Sequence, residues 1–117
     1  IADELGRMVW AFYGRLLQDL KESGYITGNG RKLDGLSIKP EMVVENLFMA
    51  LLMKDCTLTG DDRLVQTAMG KRAEMEEIME NGRRVKRRRW ISDPNAPCLE
   101  YYDPELMAKY AKIAGLT

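Results

Sequence analysis

Six of the seven residues from 83 to 89 are cations: Arg83, Arg84, Lys86, Arg87, Arg88 and Arg89, broken only by Val85. Charge at that density cannot enter a core, because an unpaired buried cation loses far more hydration energy than packing returns. Whatever the fold, this run must face solvent or an anionic surface. It leads into Trp90 and Ile91, then into a turn signal at Asp93-Pro94-Asn95-Ala96-Pro97, then into the apolar stretch Cys98-Leu99-Glu100-Tyr101-Tyr102. Residues 83–102 therefore read as an exposed basic arm or small β-hairpin, with residues 98–102 as its returning strand and the prolines at its tip.

The net charge of the 117-residue chain is zero, but the charge is segregated. Residues 1–82 carry ten basic against fourteen acidic side chains, and residues 83–117 carry eight against four. An acidic body with a basic arm is the pattern of a polyanion-facing surface.

The segments around the arm carry helical patterns. From residue 2 to residue 22, Leu5, Met8, Val9, Phe12, Tyr13, Leu16, Leu17 and Leu20 recur at the three-four spacing that gathers them on one helix face, and Gly24 is a natural stop. Pro40 suits the first turn of a second helix over residues 40–54, which is apolar all round from Leu47 to Met53 and so reads as a central core helix. Thr59 is placed to cap a third helix over residues 61–80 that turns Leu64, Val65, Ala68, Met69, Met75, Ile78 and Met79 inward, with Asn81-Gly82 as its stop. Asp103-Pro104-Glu105 starts a fourth: a capping aspartate, proline at the first helical position, and an acid in the first turn. Residues 24–39, rich in glycine, hold an Asn29-Gly30 turn signal that either joins residues 25–27 to 31–33 in a small hairpin or sits in an ordered loop.

The expected architecture is a mainly α, four-helix single domain spanning residues 1–117, with a small β-hairpin or basic arm between helices 3 and 4. Helix, glycine stop, basic strand, turn and return strand over residues 40–102 look like the wing that follows a recognition helix in winged-helix domains. That likeness implies nucleic-acid contact through the wing. The acids Asp61, Asp62, Glu74, Glu76, Glu77 and Glu80 leave Lys71, Arg72 and the 83–89 run to make it.

Several classes of chemistry find little support. The chain has no histidine, and Cys56 and Cys98 lie far apart, so a zinc site of the Cys-His kind is excluded and each cysteine reads as a buried reduced thiol. Gly28-Asn29-Gly30 lacks the Walker pattern and the strand-loop-helix context of a phosphate loop. Asp61-Asp62 and Glu76-Glu77 are adjacent pairs that would diverge around a helix rather than converge on a metal. No nucleophile is paired with a base, so no enzyme activity, cofactor or metal is expected. No apolar run reaches the roughly 18 residues of a membrane span. Asp3, Glu4 and Arg7 interrupt any signal-peptide core, making an intracellular, cytoplasmic or nuclear location the default.

Nucleic acid is then the partner that best rewards the cationic run, since each neutralised phosphate releases counterions. Five of the six cations are arginines, which favours bidentate phosphate contacts and stacking. The expected contact residues are Arg83, Arg84, Lys86, Arg87, Arg88, Arg89, Lys71 and Arg72, with Trp90 either stacking on a base or anchoring the arm on the body. In an extended arm, alternation puts Val85, Arg87, Arg89 and Ile91 on one face and Lys86, Arg88 and Trp90 on the other. Competing readings are a nuclear-import signal at residues 86–89 and a charge-complementary contact with a protein partner or a second copy.

Overall fold

A computed structural model describes residues 2–117, with the side chains of residues 2 and 3 left out of the description. The chain runs α1 (Ala2–Glu22), β1 (Arg31–Leu33), β2 (Leu36–Ile38), α2 (Pro40–Thr59), α3 (Arg63–Ala68), β3 (Lys71–Glu80), β4 (Arg83–Ser92) and α4 (Pro104–Ile113).

The central element is α2, whose Val43, Val44, Leu47, Phe48, Met49, Ala50 and Leu52 are all buried. Two apolar clusters form on its flanks. One gathers Val9 of α1, Phe48, Met49 and Leu52 of α2, and Val65 and Ala68 of α3. The other gathers Ile26, Ile38, Val43, Val44, Leu47 and Tyr110, joining α2 to the small hairpin and α4. Tyr13 meets Phe48 edge-on with ring centroids 5.3 Å apart, a geometry the aromatic quadrupoles favour. Burying a side chain the size of Phe48 contributes on the order of 2 kcal/mol, so these clusters hold the body together.

Local chemistry explains the element ends. α2 runs past residue 54 to Thr59, with the Thr57 and Thr59 hydroxyls donating to the Met53 and Asp55 carbonyls at 3.0 and 2.9 Å; Thr59, expected to cap the next helix, ends this one, and Asp62 stands at the start of α3. α2 stops at Gly60, in the left-handed region at φ 72°, whose amide donates to the Cys56 carbonyl. α4 starts as its sequence indicates: the Asp103 carboxylate accepts the Glu105 and Leu106 amides. β1 and β2 pair across a tight turn at Asp34 and Gly35, both at positive φ, so the turn lies five residues beyond Asn29-Gly30. Gly30 instead closes an isolated bridge with Thr27, and a Cβ there would overlap the Ile38 carbonyl oxygen.

The largest departure from the sequence reading concerns residues 61–102. The third helix ends at Ala68, and Gly70 at φ 76° turns the chain into an extended strand. β3 and β4, ten residues each, pair antiparallel in unbroken register from Lys71 opposite Ser92 to Glu80 opposite Arg83. Asn81 and Gly82, at φ 50° and 76°, form the two-residue turn whose twist suits a hairpin, rather than a helix stop. Residues 93–102 form no strand, so the expected hairpin over 83–102, with its proline tip, is replaced by one over 71–92. Met75 and Met79, expected in the core, are 64% and 68% exposed.

Over the described residues the fold is consequently mixed α/β, with four helices and two separate antiparallel two-stranded sheets, and not the mainly α, winged-helix-like four-helix domain that periodicity suggests. Pairing overrode local preference. Glutamate and methionine favour helix, but as a strand β3 sets Glu74, Glu76, Glu77 and Glu80 directly opposite Arg89, Arg87, Lys86 and Arg83. The molecule measures 57 × 27 × 20 Å, and neither strand of the long ribbon buries a residue.

Candidate nucleic-acid interface

A two-stranded ribbon is marginal by itself, so its root must be held. The Asp93 amide donates to the Gly70 carbonyl at 2.9 Å, and the Leu99 amide donates to the Ala68 carbonyl at 3.3 Å. Gly70 is required for this closure twice over, by its positive φ and because a Cβ there would come within 2.9 Å of the Cys98 Cβ. Further along, residues 99–103 are pinned to α2. The Asn46 amide nitrogen, on a fully buried side chain, donates to the Tyr101 carbonyl at 3.2 Å, and its oxygen accepts the Asp103 amide at 3.0 Å. The neighbouring Glu45 carboxylate accepts the Tyr101 amide at 2.7 Å. Burial pushes the Glu45 carboxyl above its ordinary pKa, and the Tyr101 and Glu100 amides only partly pull it back.

In an antiparallel pair, directly opposed residues lie on the same face and faces alternate along each strand. The register therefore sorts the ribbon into two unlike surfaces. One carries Arg72, Arg83, Arg87 and Arg89 among Glu74, Glu76 and Glu80: four cations against three acids. Here the charges meet within the ribbon, with Arg87 at 3.3 Å and Arg89 at 3.9 Å from Glu76, and Arg72 at 2.9 Å from Glu74. The other face carries Lys71, Arg84, Lys86 and Arg88 against Glu77 alone, with Met75, Met79, Ala73 and Trp90 between them. Among the described residues, Arg84, Lys86 and Arg88 form no ion pair.

The Arg88 guanidinium lies 5.7 Å from the Trp90 ring, within cation–π range. Trp90 is half-buried opposite Ala73 and is not among the side chains packed on either core cluster. Near the ribbon's root the Asp61 carboxyl is held below its usual range, chiefly by its hydrogen bonds from Arg63 and slightly by the charge of Arg88.

All nine residues expected from the sequence lie on this one ribbon, Lys71 and Arg72 at its root on β3 and the rest along β4. They divide between the two faces: Lys71, Arg84, Lys86, Arg88 and Trp90 on one, Arg72, Arg83, Arg87 and Arg89 on the other. The alternation read for residues 85–91 matches the observed register. What sequence reasoning missed is β3 itself, and with it Met75, Met79 and the neutralising glutamates. The signal for it was Asn81-Gly82 standing between two runs of equal length and opposite charge, the strongest short-range mark of a hairpin.

Elsewhere, Met8, Val9, Phe12, Leu51, Leu52, Asp55 and Leu64 line an apolar hollow of about 340 Å³ between the helices. Both cysteines are free, and Cys98 is exposed rather than buried. Among the described residues no three His, Cys, Asp or Glu side chains cluster as metal ligands, and no helix is long and apolar enough to cross a membrane. Neither a family model, nor a curated protein, nor a solved structure matches the chain.

Proposed function

We propose that this protein is a non-enzymatic nucleic-acid-binding domain whose contact element is the β3–β4 ribbon. The supporting observation is the face carrying Lys71, Arg84, Lys86 and Arg88 against a single acid, on a projection with no buried residue. Surface cations that already have partners gain little from a new anion, whereas unpaired ones release counterions from every phosphate they neutralise. The segregation runs through the whole molecule. Residues 71–92 carry eight cations and four acids, while the rest carries ten and fourteen, so the body repels a polyanion that the ribbon attracts.

Fluorescence anisotropy with labelled single- and double-stranded DNA and RNA, at two salt concentrations, tests the proposal. Binding that weakens steeply with salt, and is lost on joint replacement of all six β4 cations, Arg83, Arg84, Lys86, Arg87, Arg88 and Arg89, by Ala in a folded variant, is the expected result. Absence of binding to all four probes at low salt refutes it.

A second reading, self-association or recruitment of a protein partner, draws on the same ribbon. Its outer edges are open, the β3 edge rich in glutamate and the β4 edge in arginine, so two copies offer each other complementary strands. A native mass twice that of the 13.4 kDa chain, falling to one copy at high salt, would favour it.

A further inference from the structure

We infer that the ribbon docks on B-form duplex DNA through one face only, the face of Arg84, Lys86, Arg88 and Trp90, with the Arg83, Arg87 and Arg89 face turned to solvent. The inference rests on the nucleic-acid reading above and specifies the form of nucleic acid and the side of the ribbon.

Shape selects the duplex. The ribbon is a convex projection of a 57 Å long molecule, and a finger of this kind complements a groove, whereas proteins that track single strands supply the groove themselves. The major groove of B-DNA, roughly 12 Å wide, admits a two-stranded ribbon, while that of A-form RNA is too deep and narrow for side chains to read. Ten residues at about 3.3 Å each give a ribbon of roughly 33 Å, close to one helical turn of DNA.

Charge and chemistry select the face. Arg84, Lys86 and Arg88 recur at every second residue of β4, about 6.6 Å apart, with no ion pair to break before they meet phosphate or a base edge. Arginine and lysine on guanine, and apolar side chains such as Met75 and Met79 on the thymine methyl, are the contacts a groove floor offers. The opposite face would have to give up the Arg87 and Arg89 pairs with Glu76 and bring Glu74, Glu76 and Glu80 towards phosphate. The first face has no ion pair to give up and brings a single acid, Glu77, towards phosphate against four cations.

The test compares two triple variants with the same loss of charge, R84A/K86A/R88A and R83A/R87A/R89A, on duplex DNA, single-stranded DNA and duplex RNA across a salt series. On duplex DNA the first is expected to bind at least ~30-fold more weakly at moderate salt, with the slope of log K against log salt reduced by roughly 2 to 3, since each lost phosphate contact removes about 0.9. The second is expected to stay within about threefold of the parent, for want of phosphate contacts.

Equal losses in the two variants overturn the one-sided docking and leave the nucleic-acid reading standing. Tighter parental binding to single strands or duplex RNA overturns the duplex assignment alone. No parental binding to any probe removes the underlying reading and this inference with it. A measurement on the unmodified protein guards against misfolded variants: duplex DNA should slow acetylation of Lys86 but not of the exposed Lys21 and Lys54 on the body. Unslowed acetylation of Lys86 in a protein saturated with DNA contradicts the proposed face.

Discussion

Replacing Asn46 with Ala should release the segment that roots the ribbon. The Asn46 side chain is fully buried on α2 and reaches across to residues 99–103, donating to the Tyr101 carbonyl and accepting the Asp103 amide. It also donates to the Met42 carbonyl one turn back, a bond that spends its second amide proton within α2. Alanine keeps α2 helical but removes both contacts between elements and leaves a small void. Each hydrogen bond contributes about 1 kcal/mol net, and leaving partly buried partners unpaired adds to the loss, giving roughly 2 to 3 kcal/mol in total. For a chain of 117 residues, about 1 kcal/mol corresponds to some 4 °C, so Tm should fall by roughly 10 °C. Urea denaturation gives the global figure and amide hydrogen exchange the local one. Asp103 N–H, whose acceptor is removed, should exchange faster, while Tyr101 N–H, held by Glu45, should be much less affected. A loss below about 0.5 kcal/mol with unchanged Asp103 protection would refute the pinning role and shift it to the apolar contacts of Leu99 and Tyr102.

Gly82→Ala forces a side chain into a turn position at φ 76° with open space around it, a purely conformational penalty of about 1 to 2 kcal/mol. Because the ribbon buries no residue, amide protection within residues 71–92 should drop while the denaturation midpoint of the body barely moves; a large midpoint shift would contradict the ribbon's independence. The raised pKa of Glu45 means the folded state holds this proton more tightly than the unfolded chain. Its stabilising contribution is therefore complete below the ordinary carboxylate range and is lost as pH rises through the folded value. Glu45→Gln, which can still accept the Tyr101 amide, should be more stable than the parent at pH 7 and lose that advantage in acid; a less stable variant at pH 7 would show the sign to be wrong. The Tyr110 hydroxyl is buried without a partner, so Tyr110→Phe should be neutral or stabilising by up to ~1 kcal/mol in a urea melt, and a clear loss would point to a bound water.

The helices that could be read from sequence are those whose determinants are local. Asp103, Pro104 and Glu105 specify the start of α4 within three residues, and the Asp103 carboxylate caps it in the structure. The apolar stripe of α1 and the all-apolar stretch of α2 announce helices through spacing alone, although Met8 and Phe12 of the first and Met53 of the second stay exposed. The end of α2 was less legible, because back-bonding of Thr59 to the Asp55 carbonyl competes with the capping role its type suggests, and spacing cannot decide between them.

The basic run was bound to be exposed in any fold, because no core accommodates six cations in seven residues. Its partner strand was decided only in three dimensions. Met75, Ile78 and Met79 fit a helical stripe as well as a strand, and their composition favours helix. What makes them a strand is the Asn81-Gly82 turn, which lays Glu74 to Glu80 against Arg83 to Arg89 and lets opposite charges meet across the ladder. The same pairing divided the cations, joining Arg87 and Arg89 to Glu76 while leaving Arg84, Lys86 and Arg88 without ion pairs on the opposite face. Residue types determine that this chain carries a dense positive charge. Which of those charges remain available to a partner depends on what stands opposite each one, and only strand register settles that.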